Sequence, residues 1–177
     1  MGKPLVGIVM GSDSDLPVMK NAAAVLDEFN IPWEIVISSA HRAPEKTAAY
    51  AKEAASRGLQ VIIAGAGGAA HLAGVIAGHT PLPVIGVPVA SGAMQGTDAL
   101  YATVQMPPGI PVATVAINGA RNAGILAAQI IGAGRPDVRE KIIAFKEQMV
   151  RQVEDKSQRL QTLGIAGYLE KMGGNKN

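Results

Sequence analysis

The chain has 177 residues, is 48% hydrophobic but only 3% aromatic, and carries a formal net charge of +2. That length is most simply one domain, and a weakly basic, mixed charge with few stacking aromatics argues against nucleic-acid binding while leaving an anionic small molecule open. The absence of cysteine excludes disulfides, thiolate chemistry and a cysteine zinc site.

The N-terminal MGKPLVGIVMGS runs directly into a strand and has no signal-peptide pattern. No apolar run approaches the ~18 residues that span a bilayer. A soluble, cytoplasmic protein without membrane contacts is the expectation.

Residues 5–10 (LVGIVM) predict a buried strand ending at Gly11. Ser12-Asp13-Ser14-Asp15 offers several N-caps for a helix reaching Phe29, which Asn30-Ile31-Pro32 breaks. Residues 33–38 form the second predicted strand. The second helix spans 44–57, with Pro44 at its start and Gly58 at its end. Residues 61–64 (VIIA) form the third strand, followed by GAGGAA and a short helix over 71–77. The fourth strand is 84–87, a short helix covers 97–105, the fifth strand is 112–116, and 122–131 is helical.

Five short apolar strands alternating with helices, with no hairpin signals, predict a three-layer α/β sandwich with a parallel sheet. Ligands of such sheets bind beyond the carboxyl ends of the strands. That edge here carries GSDSD (11–15), SSAHR (38–42), GAGGAAH (65–71) and SGAMQG (91–96). From Asp137 to Leu163 the chain is charged, with Val138, Ile142, Phe145, Met149, Val153 and Leu160 on one helical stripe. The expected organisation is a catalytic domain over 1–135 and a C-terminal helix over 136–163, more readily packed on a neighbouring subunit than folded back. Residues 164–177 are expected to form a mobile or loosely docked tail.

Each cluster has a structural reading beside the functional one. One Ser or Asp would suffice to cap the first helix, yet four stand in a row, so phosphate or ribose binding is favoured there. GAGGAA matches a dinucleotide fingerprint weakly: it follows the third strand, and no acidic residue lies ~20 positions on. A bare loop open to a ligand fits better. His71 has two standing readings, a buried structural histidine or a pocket residue. His41 and Arg42 pair a group that titrates near neutral pH with a permanent fork of donors. His79 reads as structural. Histidine spacing disfavours a metal, and no G-x-S-x-G elbow is present.

GSDSD, SAHR, VIIAGAGGAAHL, LPVIGVPV and VQMPPGIPVATVAI, in this order across residues 4–131, resemble the class I N5-carboxyaminoimidazole ribonucleotide mutases of bacterial purine synthesis. The resemblance implies a flavodoxin-like fold, a homo-octamer with active sites shared between subunits, and carboxylate transfer from N5 to C4 of a ribonucleotide without ATP, biotin or metal. No cofactor is therefore expected. Carried over, Ser12 and Asp15 would bind substrate, with Asp15 on the ribose and Asp13 counted in the same turn. Ser39 and Arg42 would hold the phosphate, and His41 would be the general acid/base. Gly67, Ala70, His71 and Leu72 would wall the pocket, with the segment around Gln105-Met106-Pro107 helping to close it. Ala73 stands where Pro is common in the family, and Gly92 loosens the following loop. Two alternatives remain: a class II aminoimidazole ribonucleotide carboxylase, which typically has SAHK where this chain has SAHR, and a non-catalytic nucleotide-binding module.

Overall fold

The computed structural model describes residues 2–173. Its elements are β1 (Val6–Met10), α1 (Leu16–Glu28), β2 (Trp33–Ile37), α2 (Pro44–Ala54), β3 (Val61–Gly67), α3 (Leu72–Ala77), β4 (Val84–Val89), α4 (Thr97–Val104), β5 (Ala113–Thr114), α5 (Ala120–Gly134) and α6 (Pro136–Gly173). A single 3-10 turn, Asp13–Asp15, leads into α1. The residues through Arg139 make one compact unit and those from Glu140 a second.

All strand pairs of the first unit are parallel, in the order β2-β1-β3-β4-β5. This is the flavodoxin-like order, which reverses direction beside β1. The register places Ile8 opposite Ile63, and Ile63 opposite Ile85. All three are fully buried, on the face covered by α1 and α5. The other face packs Val9, Ile62 and Val84 against Ala51 and Ala54 of α2 and Leu72, Ala73 and Ile76 of α3.

Small residues replace aromatic bulk in this core, so the layers sit close. A Cβ on Gly124 of α5 would lie 2.9 Å from the Ala22 carbonyl oxygen and 3.0 Å from Val25 Cβ of α1. At the sheet's outer edge, the Trp33 indole N–H donates to Asp27 Oδ1 (2.8 Å), tying the start of β2 to α1. Tyr50 O–H donates to Glu34 Oε1 (2.8 Å), and Arg57 pairs with the same carboxylate while lying over the Tyr50 ring.

The sequence-predicted strands and helices are present; β3 and β4 run past their expected ends to Gly67 and Val89, so the first three residues of GAGGAA are strand, and two larger differences remain. The fifth strand, expected over 112–116, has only two residues in ladder register. Its continuation is irregular: Val115 N–H donates to Gly86 O and Asn118 N–H to Pro88 O, while Ala90 N–H turns to Asn118 Oδ1. Pro88 and Pro111 supply no N–H, so a regular ladder cannot extend through them. The second difference is the expected tail. Residues 165–173 are helical, following a break at Gly164 (φ 65°, ψ 175°). Ala166, Leu169, Glu170, Lys171 and Met172 are good helix formers, whereas Gly164 alone takes a conformation that side chains disfavour. The rest of that stretch, 174–177, lies outside the described residues.

In the second unit, Met149, Val150 and Val153 are large, apolar and 42–65% exposed on one stretch of helix. Among the described residues, no helix is long and apolar enough to cross a membrane.

Candidate active site

Each strand of the β2-β1-β3-β4 run ends at the same edge of the sheet, and each delivers one wall of a cavity of about 340 Å³. That volume suits a small-molecule ligand. From β1 come Gly11, Ser12, Ser14 and Asp15, and from β2 Ser39, Ala40, His41 and Arg42. β3 and α3 contribute Ala66, Gly67, Ala69 and Leu72, and β4 contributes Ser91.

The β1 wall is a capped turn. Ser12 N–H donates to Asp15 Oδ2 (3.0 Å), and the Ser12 hydroxyl accepts from Ser14 N–H (3.3 Å), a reciprocal capping box. The capping reading of this motif is therefore correct for Ser12 and Asp15, and both also face the cavity. Asp15 is only 6% exposed. Burial pushes its carboxyl above the usual carboxylate range, and Asp13 adds to the push. The N–H groups of Ser12 and Gly11 and the Arg42 guanidinium pull the other way.

The β2 wall is fixed from beneath. Thr47 O–H donates to Ala43 O (3.2 Å), so the hydroxyl of buried Ser38 donates to Thr47 Oγ1 (2.8 Å). This clamp joins the end of β2 to the first turn of α2, and the loop holding His41 and Arg42 is strung between. Arg42 Nη2 donates to Gly11 O (3.0 Å), and its backbone N–H donates to Ser39 Oγ (3.2 Å). A guanidinium has five N–H donors, so donors remain for an anion in the cavity.

His41 reaches across from the β2 side to the start of α3. Its Nε2 lies 2.9 Å from His71 Nδ1, with the rings edge to face at 87°. Both rings are exposed rather than buried. His71 is thus not a buried structural histidine; it is the hydrogen-bond partner of His41. Only one proton fits between the two nitrogens, so each ring sets the tautomer of the other.

The β3 wall is bare at Gly67 for a reason of space. A Cβ on Gly67 would lie 2.5 Å from Ser91 Oγ and 3.0 Å from Val89 O. Beyond it, Met106 lies against Gly74, where a Cβ would come within 2.9 Å of Met106 Cε. The segment expected to help close the pocket is therefore seated on α3.

Of the residues expected from sequence, Ser12, Asp15, Ser39, His41, Arg42, Gly67 and Leu72 line the cavity. Asp13, Ala70 and His71 do not. Asp13 is exposed beside Ser12, accepting its hydroxyl proton (3.0 Å). Ala70 is buried beneath the loop, and His71 stands behind His41. Sequence reasoning did not assign Gly11, Ser14, Ala40, Ala66, Ala69 or Ser91 to the site, although all of them lie inside segments it placed at the ligand edge. Among the described residues, no three His, Asp or Glu side chains gather as metal ligands would.

This chain resembles known proteins over most of its length. The family model described as AIR carboxylase matches residues 5–152. A Pyrococcus horikoshii protein named N5-carboxyaminoimidazole ribonucleotide mutase is 59% identical over 94% of this chain and 94% of its own length. A Thermotoga maritima protein of the same name is also 59% identical, over 94% of this chain and 97% of its own. The crystal structure of Treponema denticola PurE superposes with a TM-score of 0.82 at 30% identity, covering 89% of this chain and 98% of that one.

Proposed function

This chain belongs to the AIR carboxylase family, and from that premise we propose that it catalyses the N5-carboxyaminoimidazole ribonucleotide mutase reaction of purine biosynthesis. The observation that carries the reading is the placement of His41. It stands over a cavity with an arginine fork on its own loop and a wall of mostly small residues opposite.

The chemistry follows from those groups. Arg42 and Ser39 hold the phosphate, and Ser12 with Asp15 faces the ribose. Protonated His41 gives its proton to N5 as the N5–carboxylate bond breaks, releasing CO2 inside the cavity. The aminoimidazole is an enamine-like nucleophile at C4, and its electron pair forms the new C4–carbon bond to CO2. Neutral His41 then removes the C4 proton and aromaticity returns. One proton moves from C4 to nitrogen, one carboxylate moves from nitrogen to C4, and His41 ends as it began. A group that both gives and takes a proton works best when it titrates near the operating pH, as histidine does.

His71 supports the cycle by holding His41 through Nε2, which fixes the ring over the reacting atoms. Backbone N–H groups of the glycine-rich loop suit the carboxylate, and Met106 on α3 suits a closing segment. No ATP, biotin or metal has a step in this scheme.

A homo-octamer with shared active sites is part of the same reading. The apolar surface of the second unit supports it: Ile143, Met149, Val150, Val153, Ile165 and Leu169 are 42–75% exposed. Such a surface is costly in water and is best covered by another subunit. The reading places the enzyme in the cytoplasm, with a ribonucleotide as its partner and neither nucleic acid nor membrane.

One experiment tests the reaction. Purified protein is incubated with the N5-carboxylated ribonucleotide and labelled bicarbonate, without ATP and with chelator. The expected result is unlabelled C4-carboxylated product. Label entering the product during turnover would instead identify a carboxylase using free CO2.

A further inference from the structure

Ser91 follows β4 and lines the cavity, and it caps no helix. Its hydroxyl has no hydrogen-bond partner among the described residues, although most polar groups around this cavity are engaged with one another.

The backbone beneath it is held firmly. Ala90 N–H donates to Asn118 Oδ1 (2.9 Å), and Asn118 N–H donates to Pro88 O (2.8 Å). These bonds fix the residue immediately before Ser91. On the far side, Gln95 Nε2 donates to Gly92 O (2.9 Å), closing the loop on itself. Ser91 is also the residue that Gly67 makes room for, since a Cβ there would strike its Oγ and Cβ at 2.5 and 3.1 Å. A free hydroxyl on an anchored backbone, against the bare backbone of Gly67, is a preformed donor facing the ligand space.

Strand order says which part of the ligand it meets. Arg42 follows β2 and Ser91 follows β4, at the two ends of the β2-β1-β3-β4 run. Three strand spacings of ~4.8 Å separate them, about 14 Å in all. A ribonucleotide with its phosphate at Arg42 directs its base away from β2, toward β3 and β4. His41 leans the same way to meet His71 at the start of α3. The reacting end of the base therefore lies between His41 and the Gly67–Ser91 wall.

We infer that Ser91 is a carboxylate-binding residue, its hydroxyl donating to the carboxylate that migrates from N5 to C4. It distinguishes carboxylated from uncarboxylated aminoimidazole ribonucleotide, and it holds the released CO2 on the side from which C4 attacks. This assignment rests on the function proposed above.

The test is equilibrium binding by calorimetry to wild type and Ser91→Ala, with folding of the variant checked by its melting transition. The ligands are the C4-carboxylated ribonucleotide and the uncarboxylated aminoimidazole ribonucleotide. Loss of one hydrogen bond to a charged group is expected to weaken the carboxylated ligand about tenfold or more and leave the other within about twofold. In turnover, the variant should release uncarboxylated ribonucleotide in place of product. Equal weakening of both ligands, or of neither, overturns the role of Ser91. A wild-type protein that binds neither ligand overturns the function itself instead.

Discussion

His41 Nε2 and His71 Nδ1 stand 2.9 Å apart, joining two residues thirty positions distant through a single proton. The His41 ring cannot rotate away without breaking this bond. His41→Asn should abolish turnover while substrate binding largely survives. His71→Ala leaves the reacting group in place but unsteered. It should lower kcat by roughly tenfold to a hundredfold with KM little changed, as for a residue acting mainly in the transition state. Steady-state kinetics of both variants checks the division.

Arg42 contributes differently. Its guanidinium is held by Gly11 O and Ser39 Oγ and offers its remaining donors to an anion. Arg42→Ala should raise KM by roughly 10- to 100-fold, the range of a lost charged hydrogen bond. The kcat should fall much less.

Asp15 should trade stability for binding. Burial raises its carboxyl above 3.8, so the folded state holds the proton more tightly than the unfolded chain. Its contribution to stability is then fully present below pH 3.8 and is lost as pH rises through the folded-state value. At neutral pH the buried carboxylate is a cost. Asp15→Asn keeps an oxygen for Ser12 N–H and removes that cost. It should melt higher than wild type at pH 7, the gap narrowing on acidification, while substrate affinity falls. Melting curves across pH 3.5–7 check the sign; a variant that melts lower at pH 7 would contradict it.

Gly124→Ala sets two principles against each other. Helix propensity alone favours Ala by about 1 kcal/mol. The new Cβ, however, would sit 2.9 Å from the Ala22 carbonyl oxygen in α1, which is backbone and cannot swing aside. Overpacking of this kind costs about 1–3 kcal/mol, so the variant should be less stable by denaturant unfolding.

Val150→Glu and Val153→Glu add charge to the exposed apolar stretch of α6. If that surface is covered in an octamer, sedimentation should show smaller assemblies for the double variant.

The sequence was informative where a local pattern suffices. Apolar runs of four to six residues, bounded by Gly, Pro and Asn, located the strands, and the polar residues behind them located the cavity. The length of β5 was not legible, because VATVA has no period that counts its partnered residues and the decisive prolines act on the ladder, one of them from β4. The helix over 165–173 was obscured by its glycines, which suggested a tail. The His41–His71 contact depends on where two loops end in space. SGAMQG was placed at the ligand edge, but Ser91 was not singled out within it: one serine in a glycine-containing loop has no spacing to mark it, and its meaning comes from the missing Cβ of Gly67.

The tie between Trp33 and Asp27 has a practical consequence. Trp33 is the chain's single tryptophan and begins β2, whereas the cavity lies past the other end of that strand, four residues on at ~3.3 Å each. Its fluorescence should therefore follow loss of the α1–β2 tie on unfolding and stay nearly silent when the cavity fills. One intrinsic optical probe can thus report the folded fraction during a ligand titration without being confounded by occupancy.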